Sequence, residues 1–95
     1  MEGNVILSIP KEEIPALRFP SQDVLQDQEA MALRQQRLEE ASVRGNMLKD
    51  KVKLVLQTTE GPRMVETTVW NAGHSYISLK YGMKVPIRAI LDVQA

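Results

Sequence analysis

The sequence predicts a mainly β fold in which one N-terminal helix precedes a small, five-stranded, partly open barrel. Three observations carry that expectation. Residues 22–44 are rich in helix formers and contain neither glycine nor proline. Residues 48–95 break into short alternating runs separated by turn signals. Ile87, Ile90 and Val93 stand three apart directly after a run of period two. That is the spacing of one tight 3₁₀ turn leading into a last strand.

With 95 residues, the chain is expected to form one domain. It divides into a proline-punctuated arm (1–20), a helical segment (21–46) and the barrel (47–95). In the arm, Ile9-Pro10, Ile14-Pro15 and Phe19-Pro20 each push the residue before proline toward extended geometry, so no long helix runs through it. "NVILSI" reads as a short strand, and Lys11-Glu12-Glu13 as one helical turn. Ile6, Ile9, Ile14, Leu17 and Phe19 are too apolar for a linker, so the arm is expected to pack on its own barrel or on a partner chain.

For the helix, about 22–44, Ser21 is the expected N-cap and Asp23 complements the positive end of the dipole. Gly45-Asn46 is the expected stop. A narrow stripe of Val24, Met31 and Leu38, flanked by Ala30 and Ala41, should face the barrel. Leu25, Ala32 and Val43 form a second line.

In the barrel, "KVKLVLQT" puts Val52, Leu54 and Leu56 on one face, and "EGPR" turns the chain. "MVETTVW" puts Val65, Thr67 and Val69 on one side, "NAGHS" reads as a loop, and "YISLK" points Ile77 and Leu79 inward. Tyr81-Gly82-Met83 turns the chain again. Pro86 lacks the N–H of a ladder donor, so its strand lies at an edge or is ending.

Composition narrows the functions. The chain is 43% hydrophobic and 25% charged, which sets it among globular rather than disordered sequences. With no cysteine, disulfides, thiolate nucleophiles and cysteine-ligated zinc are excluded, and a reducing compartment fits. The early apolar run Val5-Ile6-Leu7 lacks a basic flank, and no run has membrane-spanning length. A cytoplasmic protein with no membrane segment is expected. Residues 1–46 carry five basic and eight acidic side chains, and residues 47–95 carry seven and four. The opposed surpluses of three suit self-complementary packing better than a strongly basic polyanion site.

Catalytic patterns are thin. His74, the only histidine, adjoins Ser75 in sequence, where nucleophile and base seldom meet, and no third group is marked. No ligand spacing supports a metal. Glu12-Glu13 and Glu39-Glu40 are adjacent pairs whose members point about 100° apart on a helix, so a solvated surface accounts for them. The five glycines are scattered, which leaves no phosphate-cradling loop.

The outward set on the barrel carries more chemistry. Trp70, Tyr76, Ser78 and Lys80 lie opposite the inferred core, with Tyr81, Lys84 and Arg88 near the same end in sequence. Rings that stack bases beside cations that hold phosphates are what a single-stranded nucleic acid site needs. The competing reading is that the helix covers Trp70 and Tyr76 as packing residues.

The stretch "KVKLVLQTTEG…VETTVWNAGHSYISLKYGMKVPIRAILDV" resembles a set of uncharacterised short bacterial proteins of the Bacteroidetes type. In them a helix precedes a barrel with a "V-E-T-T-V-W" strand and a closing "L-K-x-G-x-x-I-P-I-x-x-I-x-x-V". Here Val85 replaces the pattern's Ile, and Tyr81 stands between Lys80 and Gly82. The resemblance spans about the last fifty residues and implies no activity. More distantly, one helix followed by five short strands resembles the Sm-like fold, close in form to Src-homology-3-like barrels. Sm-like proteins often form rings and bind RNA, but this chain lacks their RNA-contact motifs, so only the fold is implied.

The functional expectation is a non-enzymatic protein-interaction or assembly module. It would dock on itself or on another protein through the arm and helix, without a cofactor or metal. The alternative is a barrel that binds single-stranded RNA. Its binding residues would be drawn from Trp70, His74, Tyr76, Lys80, Tyr81, Lys84 and Arg88.

Overall fold

A computed structural model of the protein describes residues 6–94. It is a mixed helix-and-sheet chain: one long helix followed by strands in two open sheets. No closed barrel forms among the described residues.

The arm behaves as its prolines dictate. Strand β1 (Leu7–Ser8) pairs in parallel with β3 (Gly61–Thr67), and a 3₁₀ helix spans Lys11–Ala16. Residues 1–5, including the start of "NVILSI", lie outside the described residues. Ile14 is buried in the core, and Ile9, Leu17 and Phe19 pack against it, so this part of the arm is used within its own chain. The Thr59 amide donates to the Arg18 carbonyl at 2.9 Å, and Arg88 Nε donates to the Pro20 carbonyl at 2.7 Å.

Helix α1 spans Gln28–Leu48, which corrects both expected ends. Ser21 is not the cap. Asp27 is, its carboxylate accepting from the Ala30 amide at 3.3 Å. The five residues between are held otherwise. Asp23 accepts from the Leu25 amide at 2.8 Å, a local bond that competes with helix formation, and the Val24 amide donates to the Arg88 carbonyl.

Gly45 does not stop the helix either. It lies inside α1 and is buried, because a Cβ there would collide with the Val69 carbonyl and sit 2.9 Å from Thr68 Cγ2. Its role is close approach of helix to chain. Lys49 ends the helix in the left-handed region (φ 57°), its amide donating to the Gly45 carbonyl.

The buried stripe of α1 is Arg34, Leu38, Ala41 and Gly45. Leu38 and Ala41 were expected there. Met31 and Ala30 are only half-buried, and Val24 precedes the helix. In the second line, Ala32 and Val43 are exposed.

The first sheet has the order β1-β3-β2-β7, with β2 Val52–Thr58 and β7 Ile90–Gln94. β2 and β3 form a hairpin around Thr59-Glu60. Thr58 Oγ1 ties that turn, accepting from the Glu60 amide and donating to the Gly61 carbonyl at 2.7 Å. The alternation reads as expected: Leu54, Leu56, Val65 and Val69 are fully buried, and Thr67 nearly so. Val55, on the other face, is also buried, in register with Met64 and Asp92.

The second sheet is β4-β5-β6: Asn71–Ala72, Tyr76–Ser78 and Lys84–Pro86. The expected 71–75 loop therefore begins as a strand, leaving a tight turn at Gly73–Ser75. Pro86 stands on an edge strand, as its missing N–H requires. A 3₁₀ turn spans Ile87–Ala89, and Ile87, Ile90 and Val93 are all buried, which bears out the three-residue spacing. No helix among the described residues is long and apolar enough to cross a membrane.

Candidate functional site

The seven residues singled out in the sequence fall into three places. The first is the outer face of the second sheet. Tyr76 pairs with Pro86 and Ser78 with Lys84, while Ile77 and Val85 between them point into the core. Tyr76, Ser78 and Lys84 therefore share one face, and α1 leaves Tyr76 50% exposed. The β5–β6 connection carries Lys80 and Tyr81 at the Ser78–Lys84 end. The Lys80 ammonium lies 5.5 Å from the centroid of the Tyr81 ring, within reach of a cation–π contact. Tyr81 is 83% exposed and holds φ 64°, a region that bulky residues seldom occupy.

The second place is the bend between β3 and β4, where Trp70 is half-buried. Its amide donates to the Ser78 carbonyl and its carbonyl accepts from Asn46 Nδ2 at 2.8 Å, so helix and second sheet meet here. The indole Nε1 is buried without a hydrogen-bond partner. Trp70 is thus separated in exposure from Tyr76, and the two do not form one open aromatic surface.

The third place is a recess of about 320 Å³ between α1, the Gly73–Ser75 turn and the Ile87–Ala89 turn. It brings His74 and Arg88 together with Asp23, Arg34 and Ser75. Arg88 is also a structural residue through its bond to Pro20.

Arg34 was not singled out in the sequence, and it is the buried charged side chain among the described residues. Its side chain is 6% exposed. Nη1 and Nη2 donate to the two Asp23 oxygens at 2.9 and 2.7 Å, and Nη1 also donates to the Ile90 carbonyl at 2.9 Å. Hydrogen bonding from Arg34 holds the Asp23 carboxyl below the usual carboxylate range, against partial burial that pushes it up; the Leu25 amide adds to the lowering. A signal was present: Arg34 stands four and seven residues before Leu38 and Ala41, a charge on the apolar stripe.

No family model, curated protein or solved structure matches the chain.

A fourth feature lies on the free side of α1. Val43 and Met47 are four residues apart, rotated away from the buried stripe, and are 56% and 76% exposed. Gln36, Glu39, Glu40 and Arg44 surround Val43 in a shallow open recess. Sequence reading missed Met47 and Leu48 as helix residues because it ended the helix at Gly45.

Proposed function

We propose that this chain is a non-enzymatic assembly module that packs a second copy of itself on the outer face of α1. The observation that supports the reading is the exposed Val43–Met47 pair on a helix whose opposite stripe already serves the core. Burying such side chains against a partner is favourable by roughly 1.5–3 kcal/mol each. Arg44, next to Val43, is already paired with Asp50 of its own chain at 3.1 Å, so the contact rests on the apolar pair, which a two-fold axis would bring against its own copy. The arm, whose apolar residues pack in cis, takes no part in this reading. The bend at 68–70 makes β3 and β4 continuous in path, so we read the two sheets as halves of a partly open, Sm-like small barrel that presents α1.

The natural absence of cysteine makes the test clean. A Met47→Cys variant carrying a spin label should report a single short distance between two copies. A distance distribution no different from that of separate molecules would contradict the reading.

A second reading is favoured by a specific surface. Tyr76, Ser78 and Lys84 share the outer face of β5–β6, with Lys80 over Tyr81 at its end. This surface suits single-stranded RNA, and binding there would fall steeply with salt. Anisotropy that stays flat for labelled single-stranded RNA at about 50 mM salt would remove it.

A further inference from the structure

We propose that the recess between α1 and the turns at 73–75 and 87–89 is a binding site for a small oxyanion, a phosphoryl or carboxylate group on a metabolite-sized ligand. The inference does not rest on assembly through α1, which uses the other side of the helix.

The recess is built rather than incidental. Gln35 Nε2 donates to the Gly73 carbonyl at 3.1 Å, fixing the first turn to the helix. The Ile87 amide donates to the Ser75 carbonyl at 2.9 Å, fixing the first turn to the second. The Val24 amide on the Arg88 carbonyl and the Arg34–Asp23 pair close the remaining side. A recess whose walls are tied to one another keeps its shape without ligand, which lowers the cost of binding.

Its free chemistry is that of a donor. Among the described residues Asp23 is the only carboxylate lining it, and both of its oxygens are taken by Arg34. That leaves the Arg88 charge uncompensated within the recess. Arg88 uses Nε on Pro20, while its two Nη groups make no hydrogen bond among the described residues. The Ser75 hydroxyl and the His74 ring line the same space and likewise hold no described partner. Arg34 Nε, on a side chain 6% exposed, is buried and unpartnered. A guanidinium fork, a hydroxyl and an imidazole are the donor types an oxyanion takes, and guanidinium groups favour planar, two-point contacts with it. Met31 and Ile87 add an apolar wall. A volume of about 320 Å³ sits at the small end of ligand pockets.

The test uses amide and arginine Nε–H resonances of the full chain. Inorganic phosphate and sodium acetate are titrated separately, each against sodium chloride at equal ionic strength. The expected result is a saturable shift at Ser75, Ile87, Arg88 and the Arg34 Nε–H, weakened about tenfold in the double variant His74→Ala/Ser75→Ala. Neither side chain carries a bond that holds the fold, and unchanged resonances elsewhere confirm this. Saturation with phosphate alone assigns a phosphoryl ligand, and with acetate alone a carboxylate. Shifts no larger than those with chloride, or equal saturation in the double variant, overturn the proposal.

Discussion

Arg34 and Asp23 join through two parallel hydrogen bonds, at 2.9 and 2.7 Å, across the boundary between α1 and the segment that leads into it. The same guanidinium reaches the Ile90 carbonyl at the start of the last strand. One side chain thus ties the lead-in segment, helix and first sheet together. Removing the carboxylate would leave a cation 6% exposed with a single backbone partner. Asp23→Asn is expected to destabilise the fold by roughly 3 kcal/mol, since breaking one side of a buried pair strands the other charge. Urea unfolding at neutral pH checks this, and a loss within error of zero would contradict the role given to the pair.

The same pair sets an acid limit. The Asp23 carboxyl titrates below its unfolded value, so its contribution is complete above about pH 4. It is lost as pH falls through the lower folded value. Wild-type stability should therefore decline below about pH 4, and Asp23→Asn should show a shallower decline over that range. Parallel unfolding curves for the two proteins between about pH 5 and pH 2 would contradict this assignment.

Gly45 gives an opposite sign to helix propensity. Alanine would gain up to about 1 kcal/mol in an exposed helix. Here its Cβ would strike the Val69 carbonyl, which is backbone and cannot rotate away. Gly45→Ala should lower stability by roughly 1–3 kcal/mol, as other overpacking changes do. Thermal melting decides, and a rise in midpoint would show that helix and bend can separate.

Much of the fold was legible in the residues, for reasons these cases make plain. Period-two alternation along residues 65–69 and 77–79 exposed the core because Val65, Thr67, Val69, Ile77 and Leu79 all turn to the same buried side, where Leu54, Leu56 and Val85 meet them. Ile87 and Ile90 revealed the 3₁₀ turn, whereas Val93 joins them inward through a bulge in β7 at Leu91 that the spacing alone does not announce. The helix ends were not legible, since Ser21 and Asp27 are both good caps and only the distant Arg88 and Arg34 decide between them. Gly45 looked like a stop because its neighbour at Val69 is 24 residues away. Of the candidate site, Tyr76 and Ser78 followed from alternation, while the place of Lys84 beside Ser78 comes from the β5–β6 register. The grouping of His74 with Arg88 depends on how two turns fold against α1, which no local pattern carries.

Tyr81 separates stability from surface chemistry. At φ 64° and 83% exposed, it pays for a left-handed conformation with little packing in return. Tyr81→Asn should raise stability by up to about 1 kcal/mol. If the β5–β6 face binds single-stranded RNA, the same change should weaken binding, as should Lys84→Ala. Anisotropy and urea unfolding on one preparation check both, and a loss of stability in Tyr81→Asn would contradict the strain argument.

The measurement that bears most directly on assembly through α1 is sedimentation equilibrium across a hundredfold range of protein concentration, comparing wild type with Val43→Glu/Met47→Glu. Both side chains are exposed, so the variant should still fold, with only a small loss from the like charges set beside Glu39 and Glu40. The account predicts a wild-type dimer at the higher concentrations and a monomer throughout for the variant. A wild-type monomer at every concentration, or a dimer that the two changes leave intact, would contradict it.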